Sequence, residues 1–307
     1  MNLDVIVQWA RDAGYEFDFH GNGEEDVKGF CSLNKAECNK LVWIKNQSKY
    51  DAAIDATTTA SGIKESVNIA VVQTEVSTEI PNVLISSKSK ELYFAILHQF
   101  WGVKNKPGIG EGTVISGNVI IDPTASIGCN CSIVGNITIG ANTVIENNIV
   151  ISGNVSIGNN CHIQSLTVIG IDGFGYTKNQ DTGEKTMVEH FGGVKIGNDV
   201  FIGSHVNIAR GTIDDTVIED GVKIAPSTHV GHNNHVGANA TLICSKLFGS
   251  VETGSEAYIV SSTIQNQSKV GANTVIGMGS VVTKPIPDNV VAYGIPAKVI
   301  KENDTDL

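Results

Sequence analysis

Residues 113–170 read TVISGNVIIDPTASIGCNCSIVGNITIGANTVIENNIVISGNVSIGNNCHIQSLTVIG, and within them isoleucine recurs at 115, 121, 127, 133, 139, 145, 151, 157, 163 and 169. Ile109 precedes the series in the same phase. Two residues before each isoleucine stands a second small or apolar residue, among them Val119, Ala125, Cys131, Ile137, Ile149, Val155 and Cys161. Positions i−2 and i share one face of a strand, so each six-residue unit offers a short strand with a two-residue apolar face. Asn118, Asn130, Asn136, Asn142, Asn148, Asn154 and Asn160 follow three residues later, often beside glycine. Asn and Gly accept a positive φ at low cost, so each strand ends in a sharp corner. A corner every six residues predicts a parallel β-helix rather than a flat sheet.

The repeat resumes at Ile196, Ile202 and Ile208, shifts phase to Ile218, Ile224, Val230, Val236 and Leu242, and closes with Ile264, Val270, Ile276 and Val282. The column is therefore expected over 108–283, with a polar, glycine-containing insertion at 172–193 that projects from a corner. That is about eight and a half coils, or roughly 40 Å at the strand spacing of a sheet. This stretch resembles the left-handed prism of the hexapeptide-repeat transferases. Ahead of it, strand-like runs (41–44, 68–73, 82–86) and helix-like runs (LDVIVQWARDAG, ELYFAILHQFW) predict a separate small α/β domain over 1–103. Lys104–Gly108 is the joint, and 284–307 is a C-terminal tail.

Composition narrows the function. The net charge of −11 lacks the positive field that nucleic acid or an anionic membrane requires, so neither is expected as a partner. The N-terminus carries Asp4 and Asp12 within its apolar stretch, and no run reaches the length of a membrane span. A cytoplasmic location is expected. Six cysteines without a CxxC pair are expected to be reduced, with Cys131 and Cys161 facing inward.

The segment STHVGHNNHVG, 227–237, spaces His229, His232 and His235 by three. With Val230 and Val236 inward, His229 and His235 face solvent from two adjacent faces, and His232 stands at the corner between them. Imidazoles on faces turned apart cannot converge on one zinc ion, so no metal is expected. His232, next to Asn233, can reach into a groove as a base near neutral pH.

LVWIKNQSKY (41–50), IGIDGFGY (169–176), RGTIDDTVI (210–218) and VKIAPSTHVGHN (222–233) together resemble the UDP-3-O-acylglucosamine N-acyltransferase family over nearly the whole chain. That resemblance implies an enzyme of lipid A synthesis that acylates the amine of a nucleotide-linked glucosamine. It implies His232 as general base, Trp43 and Tyr50 as a clamp on the uracil with Asn46 between them, Asn233 beside a neighbouring chain, and a homotrimer with its sites between columns. The family's acid seven residues before the histidine falls on Ala225, its second functional histidine on Gln267, and its C-terminal helical extension is missing.

Instead, IGMGSVVTKPIPDNVVAYGIPAKVIKEND (276–304) resembles the end of coenzyme A-dependent sugar acetyltransferases, which implies Gly277, Lys284 and Lys298 as the donor site. The expectation is thus an N-acyltransferase that moves a short acyl group from acyl-coenzyme A to a nucleotide-linked amino sugar for surface polysaccharide. The alternative is the acyl-carrier-protein-dependent lipid A enzyme. Two further readings are a cysteine acyl-enzyme at Cys244, which lies two prism faces beyond His232, and a non-catalytic column.

Overall fold

A computed structural model describes residues 1–55 and 67–304. They divide into two compact units, Met1–Lys104 and Asn105–Leu307; residues 305–307 of the expected tail lie outside the described residues.

The first unit carries a five-stranded sheet of β1 (Asp18–His20), β2 (Gly29–Phe30), β3 (Lys40–Ile44), β4 (Ile69–Val72) and β5 (Asn82–Ile85), ordered β1-β5-β4-β3-β2. Strands β2 to β5 run parallel and only β1 is antiparallel. Alternation along the strands makes two cores. Leu41, Ile69, Val71 and Leu84 pack against helices α1 (Leu3–Asp12) and α3 (Ser89–Trp101), while Val42, Ile44, Ala70 and Val72 pack on the opposite face with Tyr50 of α2 (Gln47–Asp55). β1, β2 and α2 carry too little apolar alternation to be legible beforehand.

The second unit is a left-handed parallel β-helix. Each coil contributes three short strands, as in Lys223–Ile224, His229–Val230 and His235–Val236. One face stacks ten parallel strands, from Gly108–Ile109 to Val290–Gly294, and ends in the antiparallel strand Ala297–Glu302. Nine of the ten lie within 108–283 and the tail supplies the tenth, so the column is taller than its length suggested. The predicted inward positions are inward: Ile133, Ile151, Ile163, Ile169, Ile208, Val230 and Leu242 are fully buried, and Cys131 and Cys161 lie among them. Ile109 and Ile115 stay exposed, because the first coil has a neighbouring coil on one side only.

Two details depart from the repeat as read. Asn130, Asn142, Asn148 and Asn160 take the left-handed corner conformation. At Asn118, Asn136 and Asn154 the strand runs on through the corner (Val114–Ile121, Ser132–Ile139, Val150–Ile157), and the positive φ falls on Gly117, Gly135 and Gly153. The phase shift before Ile218 is a second, smaller excursion at 210–215: Asn207 pairs with His229, 22 residues on, where earlier coils step by 18. The insertion 172–193 is not featureless either, since Tyr176–Lys178 and Lys185–Met187 pair as an antiparallel hairpin.

Candidate active site

Both excursions from the column, with the corners that follow them, gather on one edge of the prism. The corner after Ile169 carries the insertion, that after Ile208 the 210–215 excursion, that after Val230 His232, and the next ones Gly249, Asn266 and Lys284. The insertion's return is stitched to the excursion by Phe191 N–H to Thr212 O, Gly192 N–H to Gly211 O, and Gly211 N–H to Gly193 O. Asp215 joins in, accepting from Gly193 N–H at 2.7 Å and pairing with Lys195 at 2.8 Å. The Lys195 hydrogen bond holds the Asp215 carboxyl below the usual range against a smaller opposing effect of burial, with Gly193 N–H adding to it. At the insertion's start, Arg210 clamps Asp172 through Nε and Nη2, both 2.6 Å from Oδ1.

Asn233, at φ 56°, ties this assembly to the His232 corner. Its Oδ1 accepts from the Thr212 N–H at 3.0 Å and its Nδ2 donates to Asp214 O at 3.0 Å. A backbone N–H can only donate and a carbonyl only accept, so these partners fix which way the amide faces. The same Oδ1 lies 3.0 Å from His232 Nδ1. An amide oxygen has no proton to give, so Nδ1 carries the hydrogen and Nε2 is left with its lone pair. Asn233 thereby does the orienting that an acid at position 225 would do; Ala225 has no side-chain acceptor, its carbonyl taking the Thr228 hydroxyl and its N–H bonding Leu242 O, and Gln267 stands exposed in a later corner.

His232 Nε2 faces the next coil. A Cβ on Gly249 would lie 2.4 Å from it, so only glycine leaves room there. Among the described residues no acceptor is paired with the Gly249 N–H, nor with the corner N–H groups of His232 and Asn266 in the coils before and after it, whereas elsewhere on the column such a group is capped by a side chain of the following coil, as Ala272 is by Asp288. His232 and Gly249 line a cavity of about 590 Å³ together with Asp172, Gly173, Phe174, Asn207, Ala209, His229, Gly231, Phe248 and Asn266.

The other histidines divide. His235 is exposed and pairs with Glu219 at 2.6 Å. His229 departs from the solvent-facing expectation: it is half-buried in the cavity wall, and burial, helped by Lys246 and His232, pushes its pKa down. His190 was missed altogether. It arrives from the insertion, is buried, and meets His232 edge-on at 5.2 Å between ring centroids. No sequence period links position 190 to 232, so only the folded loop reveals the pair. Among the described residues, no group of three or more His, Cys, Asp or Glu side chains is arranged to hold a metal, and no helix is long and apolar enough to cross a membrane. Cys244 is an exposed corner residue outside the cavity lining.

In the first unit, the expected Trp43–Tyr50 clamp is corrected. Alternation along β3 puts Trp43 on the α3 face, where it stacks on Tyr93 and donates to Ser89 Oγ at 3.0 Å. Tyr50 is buried on the other face, so the two rings do not enclose a base. Asn46 accepts the Lys49 N–H and starts α2. An open cavity of about 440 Å³ lies on the Trp43 side, lined by Gln73, Ser87, Ser89 and Phe94 among others, with Phe94 packed edge-on against Trp43. At the column's far end, Gly277 packs under Tyr293, which pairs in register with Lys298. Lys284 is separate from them, on the His232 edge three coils along.

No protein-family model matches the chain. A UDP-3-O-acylglucosamine N-acyltransferase of Bordetella bronchiseptica is 31% identical over 313 residues, covering 92% of this chain and 85% of that protein. The enzyme of the same name from Delftia acidovorans is 41% identical over 209 residues, 66% of this chain; the match spans 62% of that relative's length. Among solved structures, LpxA from Acinetobacter baumannii superposes with a TM-score of 0.57 at 26% identity, covering 64% of this chain and 75% of that one.

Proposed function

We propose, since the chain belongs to the UDP-3-O-acylglucosamine N-acyltransferase family, that it transfers an acyl group from a carrier-protein thioester to the amine of a UDP-linked 3-O-acylglucosamine. The observation that carries this reading is the pairing, within one cavity, of a tautomer-fixed His232 Nε2 with a Gly249 N–H that has no acceptor among the described residues. The sugar amine attacks the thioester carbonyl, the C–S bond breaks, and the nitrogen sheds one proton to Nε2, which returns it to the departing sulfur. General-base help of this kind is worth roughly 10² to 10⁴ in rate. The Gly249 N–H is suited to the oxyanion, because a donor already fixed in place needs no reorganisation as charge develops.

The donor runs along the same edge. Lys284 stands three coil steps from His232, roughly 14 Å at a sheet spacing of 4.8 Å, a reach suited to an extended thiol arm ending in a phosphate. Lys298 belongs to the terminal hairpin and Gly277 to the corner beneath it; both are kept as secondary donor contacts. The nucleotide we assign to the first unit, where the exposed Phe94 ring backed by Trp43 offers a stacking surface and Asn46 a polar one. A homotrimer, with Asn233 and the loops beside a neighbouring column, accompanies this reading.

The coenzyme A reading of the tail is the weaker one, because the curated relatives carry the name of the lipid A enzyme over most of the chain. Thiol release decides. Purified protein is given 3-hydroxyacyl carrier protein or acetyl-coenzyme A with UDP-3-O-acylglucosamine. Turnover with the carrier protein alone is expected; turnover with acetyl-coenzyme A alone reverses the assignment of the donor.

A further inference from the structure

His190 is built like a residue awaiting a partner. Its Nδ1 lies 2.9 Å from the Val188 carbonyl, which can only accept, so Nδ1 bears the proton and Nε2 is a bare acceptor. That Nε2 is buried and has no hydrogen-bond partner among the described residues, while the ring as a whole is 3% exposed. A buried acceptor without a donor is costly, and native proteins leave few of them. This one sits beside His232, whose own Nε2 is also a lone pair. Gly173, in the cavity wall, lies against both rings: a Cβ there would be 3.0 Å from His190 Nε2 and 2.8 Å from His232 Cδ2.

We propose that His190 is a second acceptor-binding residue of this site, whose Nε2 takes one N–H of the sugar amine while His232 Nε2 takes the other. This rests on the N-acyltransferase reading. A primary amine carries two N–H bonds and one lone pair; two imidazole acceptors hold both hydrogens and leave the lone pair directed at the thioester carbon. A hydroxyl has one O–H and satisfies only one of the two rings. The pair therefore selects an amine over an alcohol at the reacting carbon. Contact requires the turn at Gly173 to give way, and a glycine there has no side chain to clear.

The test compares wild type, His190→Phe, which keeps a ring against His232, and His190→Gln, which restores an acceptor. Calorimetry measures binding of UDP-3-O-acylglucosamine and of its 2-hydroxyl counterpart, and thiol release from 3-hydroxyacyl carrier protein gives KM and kcat. Wild type is expected to prefer the amine about tenfold, the scale of one neutral hydrogen bond. His190→Phe should level that preference and raise acceptor KM by a similar factor with donor KM unchanged, and His190→Gln should recover part of both. Active wild type whose amine preference and acceptor KM survive in His190→Phe overturns the role of His190 alone. Wild type that transfers no acyl group overturns the underlying reading and this one with it. If His190→Phe does not fold, as thermal melting will reveal, the wild-type preference and the His190→Gln values decide: absence of an amine preference in wild type refutes the proposal.

Discussion

A single imidazole is only as useful as the groups that hold it, and here both are unusual. Asn233 replaces a carboxylate as the orienting partner of His232, so it fixes the tautomer without offering a full negative charge to the imidazolium. In the proposed mechanism, substrate positioning then carries a larger share of the rate. Glycine at 233 accepts the same positive φ without strain, so Asn233→Gly removes the amide and its bonds to Thr212 and Asp214; kcat is expected to fall roughly 10- to 100-fold, within the span of general-base effects, with a fall in Tm of the size that one or two lost hydrogen bonds produce. Gly249→Ala acts differently. Gly249 has no positive φ, so alanine suits its backbone, but the added methyl meets His232 Nε2. A loss of about 100-fold or more in kcat with an intact fold is expected, and a Gly249→Ala enzyme of wild-type rate would remove Gly249 from the site.

Between elements, the insertion and the 210–215 excursion act as one unit because Asp215 holds both. Its depressed carboxyl pKa means that the folded state binds a proton less readily than the unfolded chain. The resulting stability is present above the ordinary carboxylate range, near 3.9, and is lost as pH falls through the lower folded value. Asp215→Asn should therefore flatten the acid limb of a Tm-against-pH curve. At neutral pH it should cost about 1 kcal/mol, the worth of one hydrogen bond, and also lower activity, because Thr212 in the same excursion grips Asn233. An acid limb identical in wild type and Asp215→Asn would separate the loops from this carboxylate. This is also the scale at which the sequence stops being readable. The column is legible because a corner every six residues leaves only a few inward positions, which isoleucine marks. His232 is legible because its place follows from Val230 and Val236. His190 depends on a loop with no period, and Trp43 and Tyr50 enclose no base because they belong to the cores on opposite faces of the first unit's sheet.

Across the whole column, stability is a sum over neighbouring coils, so a residue's weight depends on how many coils it touches. Ile163 is fully buried, and its strand pairs with Val144–Ile145 on one side and Phe201–Ile202 on the other. Ile115 is 37% exposed and pairs only with Ile133. Truncating a buried isoleucine to alanine costs about 2–5 kcal/mol through lost burial and the cavity left behind. Ile163→Ala should sit in that range and Ile115→Ala well below it, although both remove the same atoms from the same position of the repeat. The site edge runs from the insertion after Ile169 to Lys284, so it lies wholly beyond Ile163, while Ile115 is three coils earlier. Denaturant titration of both variants, paired with thiol release, checks the gradient. Ile115→Ala is expected to retain wild-type turnover at a slightly lower midpoint, and Ile163→Ala to lose midpoint stability several-fold more. Equal losses from the two would mean that burial between neighbouring coils does not set the weight of an isoleucine in this column.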